Sequence, residues 1–344
     1  MKDIQLRNGA VIGEQRQPYI IAELNSSHNG SLETAKKMID AAKNCGCDCV
    51  KLQSWSAESL YCDEYYRANP IAKRIVSKFA LDEAAVAALA EYSAERGIGL
   101  SSTPYSEREA DFLADTIRAP FIKIASMEIN NLPFLRYIAE KGVPMILSTG
   151  MASEAEIRTA VQAIGETGNR QLCILHCVSV YPAKPEIINL NNILMLRDMF
   201  PEYPIGYSDH TLGTAVAAAA AAMGAAVIEK HFTLDRTKMG MDNSMATEPA
   251  EMKALVDACR EVHAAMGSRA RVLLPEEEEM KLRMRRSITA AREIPAGTVI
   301  TAADCEAKRP GDGISPDRIG EVIGKTAVRT VTKGSLIRPE DLGI

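Results

Sequence analysis

Short apolar runs alternate with amphipathic helical patterns from Tyr19 to about residue 265. The apolar runs predict buried strands, and the three-to-four-residue periodicity between them predicts helices, for example over residues 31–45, 81–96 and 153–164. Ser31 and Ser153 are followed by acidic residues, as expected where helices begin. The eight predicted strands span residues 19–24, 49–53, 99–103, 121–124, 144–149, 172–176, 205–207 and 226–230.

Eight alternating strand–helix units within this length are typical of a (β/α)8 TIM barrel, an α/β fold. A doubly wound sheet, the alternative, usually carries a glycine-rich phosphate loop after an early strand. The sequence has no such loop. We therefore predict a TIM-barrel domain over residues 1–268.

The composition changes near Pro275, where the segment EEEEMKLRMRR predicts a charged, solvated helix. We assign residues 269–284 to a linker. Residues 285–344 contain short β segments and turns, which predict a small β-rich domain. Two stretches within it, IPAGTVITAADC and VTKGSLIRPEDL, resemble each other weakly and indicate an internal repeat.

Composition and charge exclude several classes of protein. The chain is 47% hydrophobic and 25% charged, as in ordinary globular proteins, and its net charge of −5 provides no basic field for nucleic acid or anionic membranes. No apolar run approaches the roughly 20 residues of a membrane span, and the first ten residues lack a signal-peptide core. Eight cysteines are too sparse for a disulfide scaffold, so we expect a cytoplasmic protein.

Cys45, Cys47 and Cys49 form the one conspicuous cysteine cluster. Their C-x-C-x-C spacing differs from the C-x2-C pairs of structural zinc sites. They fall where a helix ends and a strand begins, so we expect them to pack in the core.

The predicted strands end in polar or charged residues, and active sites of TIM barrels lie at these carboxyl ends. Lys51 and Lys123 lie on strands two apart, so both can point into one mouth. Two ammonium groups beside hydroxyls suit a small substrate with a phosphate and a carboxylate. Alternatively, the lysines merely pair with neighbouring glutamates. The hydroxyl candidates are Thr103, Ser126, Ser148 and Ser208.

His210 and His231 follow two adjacent predicted strands. Two imidazoles with open positions suit a divalent cation that is shared with substrate and water. The alternative is a pair of ordinary core histidines. We favour the metal hypothesis because both residues lie at the expected mouth of the barrel.

Glu23 is the best-placed carboxylate for acid–base chemistry, and Glu128 and Glu229 are alternatives. His176 is followed by Cys177, which raises the question of a thiol–imidazole nucleophile. Because neighbouring strand residues point to opposite faces, we do not expect these two to act as a pair.

Several segments resemble the sialic acid synthase family in order and spacing: IIAELNSSHNG, VKLQSW, FIKIASMEINN, LSTGM, HCVSVYP, IGYSDHTLG and IEKHFTLD. The later segments RRSITAAREIPAGTVIT and AKRPGDGI resemble the antifreeze-like SAF domain of that family, a β-clip fold. The resemblance covers nearly the whole chain. SDHTLG followed by EKHFTLD is its most specific part.

The resemblance implies a transferase that condenses phosphoenolpyruvate with an N-acetylmannosamine-like aldehyde to give a 2-keto-3-deoxy nonulosonate. It implies a divalent cation on His210 and His231, manganese first, with magnesium or cobalt as alternatives. It also implies a domain-swapped homodimer in which one chain's Arg309 closes the sugar end of the other's site. The residues that would face phosphoenolpyruvate are Lys51, Thr103, Lys123, Ser126, Ser148 and Ser208. Those that would face the sugar are Gln53, Glu128, Ser179, Tyr181, Asp242 and Arg309.

The chain departs from the family pattern at three places, all expected on the sugar side. Ser179 replaces an asparagine, residues 25–28 read Asn-Ser-Ser-His where a glycine and then Asn-His are usual, and Asn243 and Ser244 replace a His-Lys pair. The acceptor therefore stays open among N-acetylmannosamine, a diacetamido sugar of the legionaminic or pseudaminic type, and another aldose. Alternative functions are a 3-deoxy-ulosonate synthase acting on a sugar phosphate and a non-catalytic carbohydrate-binding barrel.

Overall fold

The computed structural model describes residues 3–343, which form two compact units, residues 3–267 and residues 268–343. The strands of the first unit are β1 (Ile4–Gln5), β2 (Val11–Ile12), β3 (Tyr19–Glu23), β4 (Cys49–Ser54), β5 (Gly99–Pro104), β6 (Ile122–Ile124), β7 (Met145–Ser148), β8 (Leu172–Cys177), β9 (Ile205–Asp209) and β10 (Val227–His231). Its helices are α1 (Leu32–Cys45), α2 (Ala57–Leu60), α3 (Asp63–Ala68), α4 (Pro70–Phe79), α5 (Glu83–Glu95), α6 (Glu107–Asp111), α7 (Leu132–Glu140), α8 (Glu154–Glu166), α9 (Asn191–Met199), α10 (Ala215–Ala222) and α11 (Pro249–Met266).

Strands β3 to β10 close into a parallel barrel, in which β10 pairs with β3. This confirms the predicted (β/α)8 fold, and each strand lies within two residues of its predicted bounds. Residues 57–79, for which the sequence made no prediction, form the three short helices α2, α3 and α4. No helix among residues 3–343 is long and apolar enough to cross a membrane.

Helix starts follow the predicted capping chemistry. The side chain of Ser31 accepts a hydrogen bond from the Thr34 backbone N–H, and α1 ends at Gly46, whose φ of 86° is left-handed. Ser153 forms a capping box with Glu156 at the start of α8. These local contacts fix where each crossover helix leaves the barrel.

The barrel unit has two apolar layers, one between strands and helices and one inside the barrel floor. Cys45 and Cys47 belong to the outer layer, whereas Cys49 points inward beside Tyr19 and Phe121. All three cysteines are buried free thiols, as expected for core packing. The apolar floor fills one end of the barrel, and polar side chains occupy the opposite end, where the strands have their carboxyl ends.

The second unit contains α12 (Pro275–Met284), β11 (Ser287–Ala290) and β12 (Cys305–Lys308), with β11 and β12 antiparallel. Its two halves repeat the same contacts. Ile294 exchanges two backbone hydrogen bonds with Val331, each 2.9 Å, and these residues open the two similar sequence stretches. Gly297 and Gly334 occupy equivalent left-handed turns, with φ of 83° and 81°. The weak sequence repeat is therefore a structural repeat with approximate two-fold symmetry.

The acidic residues of the repeat also correspond. Asp304 accepts hydrogen bonds from Arg292 and from the Thr301 backbone N–H, and Asp341 does the same with Arg329 and the Arg338 backbone N–H. Each aspartate is nearly inaccessible to solvent. Each half is thus closed by a buried carboxylate that satisfies backbone and guanidinium donors.

His28 is a buried titratable group in the loop that follows β3, and its Nδ1 accepts a hydrogen bond from the Gly30 backbone N–H at 3.0 Å. Burial lowers the pKa of His28 to about 4, partly opposed by the Asn25 backbone. The folded protein therefore keeps this imidazole neutral at a pH where the unfolded chain binds a proton.

We predict that His28 makes folding acid-sensitive. The free energy of unfolding should be unaffected by His28 above the unfolded pKa of about 6.5 and should decrease as the pH falls toward 4. At pH 5 the decrease should be about 2 kcal/mol. Urea unfolding of wild type and His28→Asn at pH 7.5 and pH 5 measures this difference. An unchanged pH dependence in the variant would contradict the assignment.

Candidate active site

A cavity of about 230 Å³ opens at the carboxyl ends of the barrel strands. It brings together the predicted site residues Glu23, Lys51, Gln53, Thr103, Lys123, Ser126, Ser148, Ser179, Tyr181, Ser208, His210 and His231. Tyr105, Cys177 and Glu229 complete its polar wall. A larger cavity of about 420 Å³, beside Trp55 and Phe112, is lined by no lysine or histidine. The chemistry of the barrel is therefore concentrated in the smaller cavity, which we call the mouth.

Two predicted sugar-side residues of the first unit, Glu128 and Asp242, do not line the mouth. Glu128 lies near it, accepts a hydrogen bond from Asn131 at 2.9 Å and helps to raise the pKa of Tyr105. Asp242 is on the loop after β10 and is discussed below. Arg309 is an exposed residue of the second unit.

Two lysines and two glutamates form a buried charge network in the mouth. Lys51 is paired with Glu23 and donates to Thr103 at 3.0 Å. Lys123 donates to Ser148 at 2.6 Å. The alternative raised from sequence, pairing of lysines with glutamates, is therefore present.

Glu229 lies between the two ammonium groups, 3.7 Å from Lys123 and 4.0 Å from Lys51. It also accepts a hydrogen bond from Ser208 at 2.9 Å. Burial acts to raise the pKa of Glu229, but the two ammonium groups, the hydrogen bond from Ser208 and the charge of His210 together outweigh it and lower that pKa. Burial lowers the pKa of Lys51, and the charge of Glu229 opposes this shift. With all four groups ionised, the mouth is neutral overall.

The predicted histidine pair is assembled, with the His210 and His231 ring centroids 5.4 Å apart. Nδ1 of His210 donates to the Val178 carbonyl at 2.8 Å, because a carbonyl can only accept, so Nε2 carries the free electron pair. Burial, together with the charges around it, lowers the pKa of His231 well below its ordinary value. Burial acts to lower the pKa of His210, but Cys177, the Val178 carbonyl and Glu229 together outweigh it, so this pKa is raised. His231 therefore offers a neutral ring, and His210 offers Nε2 to a cation once its ring is deprotonated.

The donor set fits a divalent cation that is also bound by substrate or water. No cluster of three or more His, Cys, Asp or Glu side chains among residues 3–343 is arranged to hold a metal by itself. The buried Oε2 of Glu229 accepts no hydrogen bond in that part of the chain, so the mouth has uncompensated acceptor capacity. Two imidazoles that leave coordination positions open suit a catalytic metal rather than a structural one, which is closed by four protein ligands.

Behind the mouth, a second buried ion pair joins the strands that carry the histidines. Lys230 donates to Asp209 at 2.6 Å and to the Thr211 carbonyl at 2.7 Å. Tyr207 donates to the same aspartate at 3.1 Å. Because side chains alternate along a strand, this pair lies on the outer face and fixes the ends of β9 and β10.

Cys177 is a mouth residue that the sequence analysis overlooked. His176 points to the outer face, where it bonds the Ile188 carbonyl at 2.7 Å, so the two neighbours do not form a pair, as expected. Cys177 instead lies 3.9 Å from Nδ1 of His210. Burial acts to raise the pKa of Cys177, but His210, the charge of Lys123 and the hydrogen bond with Ser126 together outweigh it, so the pKa is lowered. Strand alternation was the signal that could have identified it.

Tyr105 was also overlooked, because it lies just past the end of β5, where no strand pattern applies. Its hydroxyl donates to Gln53 at 3.4 Å, and its ring contacts Trp55 edge-on. Tyr181, by contrast, was predicted, and its ring covers His210 at a centroid distance of 4.2 Å.

One expectation about the sugar side is wrong. Asn243 does not face the mouth, since its amide donates to the carbonyls of Asp235 and Lys238 at 2.7 Å each and the residue is buried. Ser244 is exposed. Asn243 therefore stabilises its own loop. Of the three replaced residues Ser179, Asn243 and Ser244, only Ser179 lines the mouth.

Comparisons with known proteins agree with this geometry. The sequence model of the NeuB family matches residues 38–271, and that of the SAF domain matches residues 285–343. N-acetylneuraminate-9-phosphate synthase of Homo sapiens is 35% identical, with coverage of 98% of this chain and 96% of that protein. N,N'-diacetyllegionaminic acid synthase of Legionella pneumophila is 36% identical, with coverage of 94% of each.

A solved structure is also similar. N-acetylneuraminic acid synthetase from Leptospira borgpetersenii is 34% identical and superposes with a TM-score of 0.75, covering 81% of this chain and 95% of that one. The fold of the chain is therefore shared with this relative.

We predict that Glu229→Gln tightens anion binding in the mouth. The amide keeps an acceptor for Ser208 but removes the negative charge between the lysines, so inorganic phosphate should bind about tenfold more tightly. Isothermal titration calorimetry measures the effect, with the exposed Glu166→Gln on α8 as control. Unchanged or weaker phosphate binding by Glu229→Gln would show that the two lysines do not form the anion site.

Proposed function

The chain belongs to the NeuB family, and on that premise we propose that it condenses phosphoenolpyruvate with an amino-sugar aldehyde. The products are a 2-keto-3-deoxy nonulosonate and inorganic phosphate, so the enzyme is a transferase that forms a carbon–carbon bond. The observation that carries the proposal is the juxtaposition, in one small cavity, of two buried lysines with hydroxyls and a histidine pair.

The donor end is the lysine side of the mouth. Phosphoenolpyruvate carries a phosphate and a carboxylate on a three-carbon frame, and Lys51 and Lys123 provide two separate ammonium groups for them. The hydroxyls that surround the lysines are those of Thr103, Ser126, Ser148 and Ser208. Burial excludes water from these contacts, which strengthens each of them.

His210 and His231 would hold a divalent cation, for which we propose manganese, with magnesium or cobalt as alternatives. The chemistry that such an ion supplies is polarisation of an aldehyde oxygen. Charge balance supports it, because the four ionised groups of the mouth cancel and leave the charge of phosphoenolpyruvate uncompensated.

In the reaction, C3 of phosphoenolpyruvate bonds to the aldehyde carbon and water adds to C2. The adduct then loses phosphate by cleavage of the C2–O bond, so donor, aldehyde and water give the keto acid and phosphate. The lysines hold the donor in place, and Glu23 positions the water. Glu23 suits this role because Lys51 and the Asn25 backbone N–H fix its carboxylate.

The acceptor side consists of Gln53, Ser179 and Tyr181 at the mouth, with Glu128 and Asp242 beside it. We propose an N-acetylated amino sugar, in either the N-acetylmannosamine or the diacetamido class. The two relatives named above form different products at nearly equal identity to this chain. Ser179 is shorter than asparagine, which favours a larger or wetter pocket at that point.

We further propose a cytoplasmic homodimer in which Arg309 of the partner subunit completes each site. Helix α12 supports this, because it buries none of its residues and exposes Met280, Leu282 and Met284. Exposed apolar side chains of this kind indicate a contact with another surface. All eight cysteines are free thiols, as suits a reducing compartment.

The test of the proposed function is phosphate release from phosphoenolpyruvate in the presence of manganese and each of three acceptors. These are N-acetylmannosamine, its 6-phosphate and a 2,4-diacetamido-2,4,6-trideoxyhexose. We expect one of them to give a nonulosonate by mass spectrometry. We also expect chelation, His210→Ala or His231→Ala to lower turnover about a thousandfold or more.

Manganese binding followed by electron paramagnetic resonance should weaken in the same two variants, whereas His263→Ala on α11 should bind and turn over normally. Full turnover in excess chelator would exclude the metal. Absence of phosphate release with every acceptor would exclude the synthase function.

Mixed dimers test the shared site. If each site takes Lys51 from one chain and Arg309 from the other, Lys51→Ala and Arg309→Ala homodimers should both be nearly inactive. Co-refolded mixtures should regain about a quarter of wild-type activity, because mixed dimers hold one intact and one doubly defective site. A mixture that stays inactive would place Arg309 in the site of its own chain.

A further inference from the structure

Asn25 connects the strand that carries Glu23 to the loop that follows β10. Its backbone is left-handed, with φ of 43°, a conformation that asparagine tolerates better than most non-glycine residues. The residue is 3% exposed. An asparagine buried in this conformation is specified by its contacts rather than by solvent.

The two donors of Asn25 reach two carboxylates. Its backbone N–H donates to Oε1 of Glu23 at 2.6 Å, and its side-chain Nδ2 donates to Asp242. Asn25 thus fixes Glu23 with its backbone and Asp242 with its side chain. A second contact joins the same loops, since the Met241 backbone N–H donates to Oγ of Ser26 at 3.2 Å.

Asp242 is half-buried beside the mouth. Burial raises its pKa, while His210 and the hydrogen bond from Asn25 act in the opposite direction. The charge of Asp242 also contributes to raising the pKa of Tyr105 and of Tyr181, both of which line the mouth. The Asp242 carboxylate therefore lies within electrostatic range of Tyr105, Tyr181 and His210, three residues that line the mouth.

We infer that Asn25 is a positioning residue for the acceptor: it holds the Asp242 carboxylate beside the mouth, where that carboxylate can accept hydrogen bonds from the hydroxyls of a bound acceptor. The inference rests on the proposed function and assigns a role within it to a residue that lines neither end of the mouth. A flexible carboxylate on a loop binds a ligand more weakly than a fixed one, because ordering its side chain on binding costs free energy. The hydrogen bond from the Asn25 amide fixes the side chain of Asp242 before the acceptor binds.

Three variants separate this role from a general structural one. Asn25→Gly keeps the left-handed backbone and removes the amide. Asn25→Asp keeps the size and places a second carboxylate against Asp242. Asn29→Gly is the matched control, because Asn29 has the same residue type and a left-handed φ of 52° in the same loop. Among the described contacts, Asn29 makes none with Asp242.

With the acceptor that gives the highest turnover in the panel above, Asn25→Gly should lower kcat/KM for the acceptor about tenfold and leave the KM for phosphoenolpyruvate within about twofold. Asn25→Asp should lower it further, about a hundredfold, because like charges repel. Asn29→Gly should match wild type. Equal losses toward donor and acceptor, or a similar loss in Asn29→Gly, would overturn the inference.

A double-mutant cycle tests whether Asn25 acts through Asp242. In an Asp242→Ala background, Asn25→Gly should cause no further loss in kcat/KM for the acceptor, since there is no carboxylate left to hold. Losses that multiply instead would show that Asn25 acts independently of Asp242, and would overturn the inference.

A measurement without substrate keeps this inference distinct from the synthase function. Lys238 is an exposed trypsin site on the loop that carries Asp242. Loss of the Asn25 contact should speed cleavage after Lys238 several-fold in Asn25→Gly and leave it unchanged in Asn29→Gly. Equal cleavage of Asn25→Gly and wild type would overturn the inference, whether or not the protein consumes phosphoenolpyruvate.

Discussion

Four ionised side chains buried together at one end of the barrel are the constraint on which the site depends. An isolated ammonium or carboxylate would be costly to bury, so Lys51, Lys123, Glu23 and Glu229 must be brought in as a compensated set. Closing eight strands into a barrel makes this possible, because inward residues from nonadjacent strands meet at its axis. The set is neutral, and its ammonium groups line the mouth together with the hydroxyls of Thr103 and Ser148.

The same closure arranges the histidines. His231 ends β10, and His210 directly follows β9, the strand that pairs with β10. Because side chains alternate in direction along each strand, both imidazoles line the cavity whereas the neighbouring Asp209 and Lys230 point outward. The outward ion pair of Lys230 and Asp209 holds the strand ends from behind, so the two imidazoles are supported by a network that does not itself reach the mouth. Preorganisation of this kind lets a site bind a transition state without rearranging at the moment of reaction.

The second unit is built on a different principle. Its core is small, and its halves repeat one arrangement in which a glycine turn is followed by a buried aspartate. A compact domain of this size has little apolar area to bury. Hydrogen bonds from backbone N–H groups and arginines to Asp304 and Asp341 therefore help to stabilise each half. Both halves of the unit are therefore stabilised by the same local arrangement.

The sequence by itself determined the barrel, the positions of its strands, the polar strand ends and the histidine pair, because side-chain alternation and strand–helix rhythm are local patterns that survive without coordinates. Only the tertiary structure decided which charges compensate one another. It placed Glu229 between two lysines, brought Cys177 within 3.9 Å of Nδ1 of His210, and withdrew Asn243 from the mouth. The contacts of Glu229 and Cys177 join different strands and follow from barrel closure, whereas those of Asn243 follow from the conformation of its own loop. The hydrophobic and polar pattern of the sequence specifies neither set of partners.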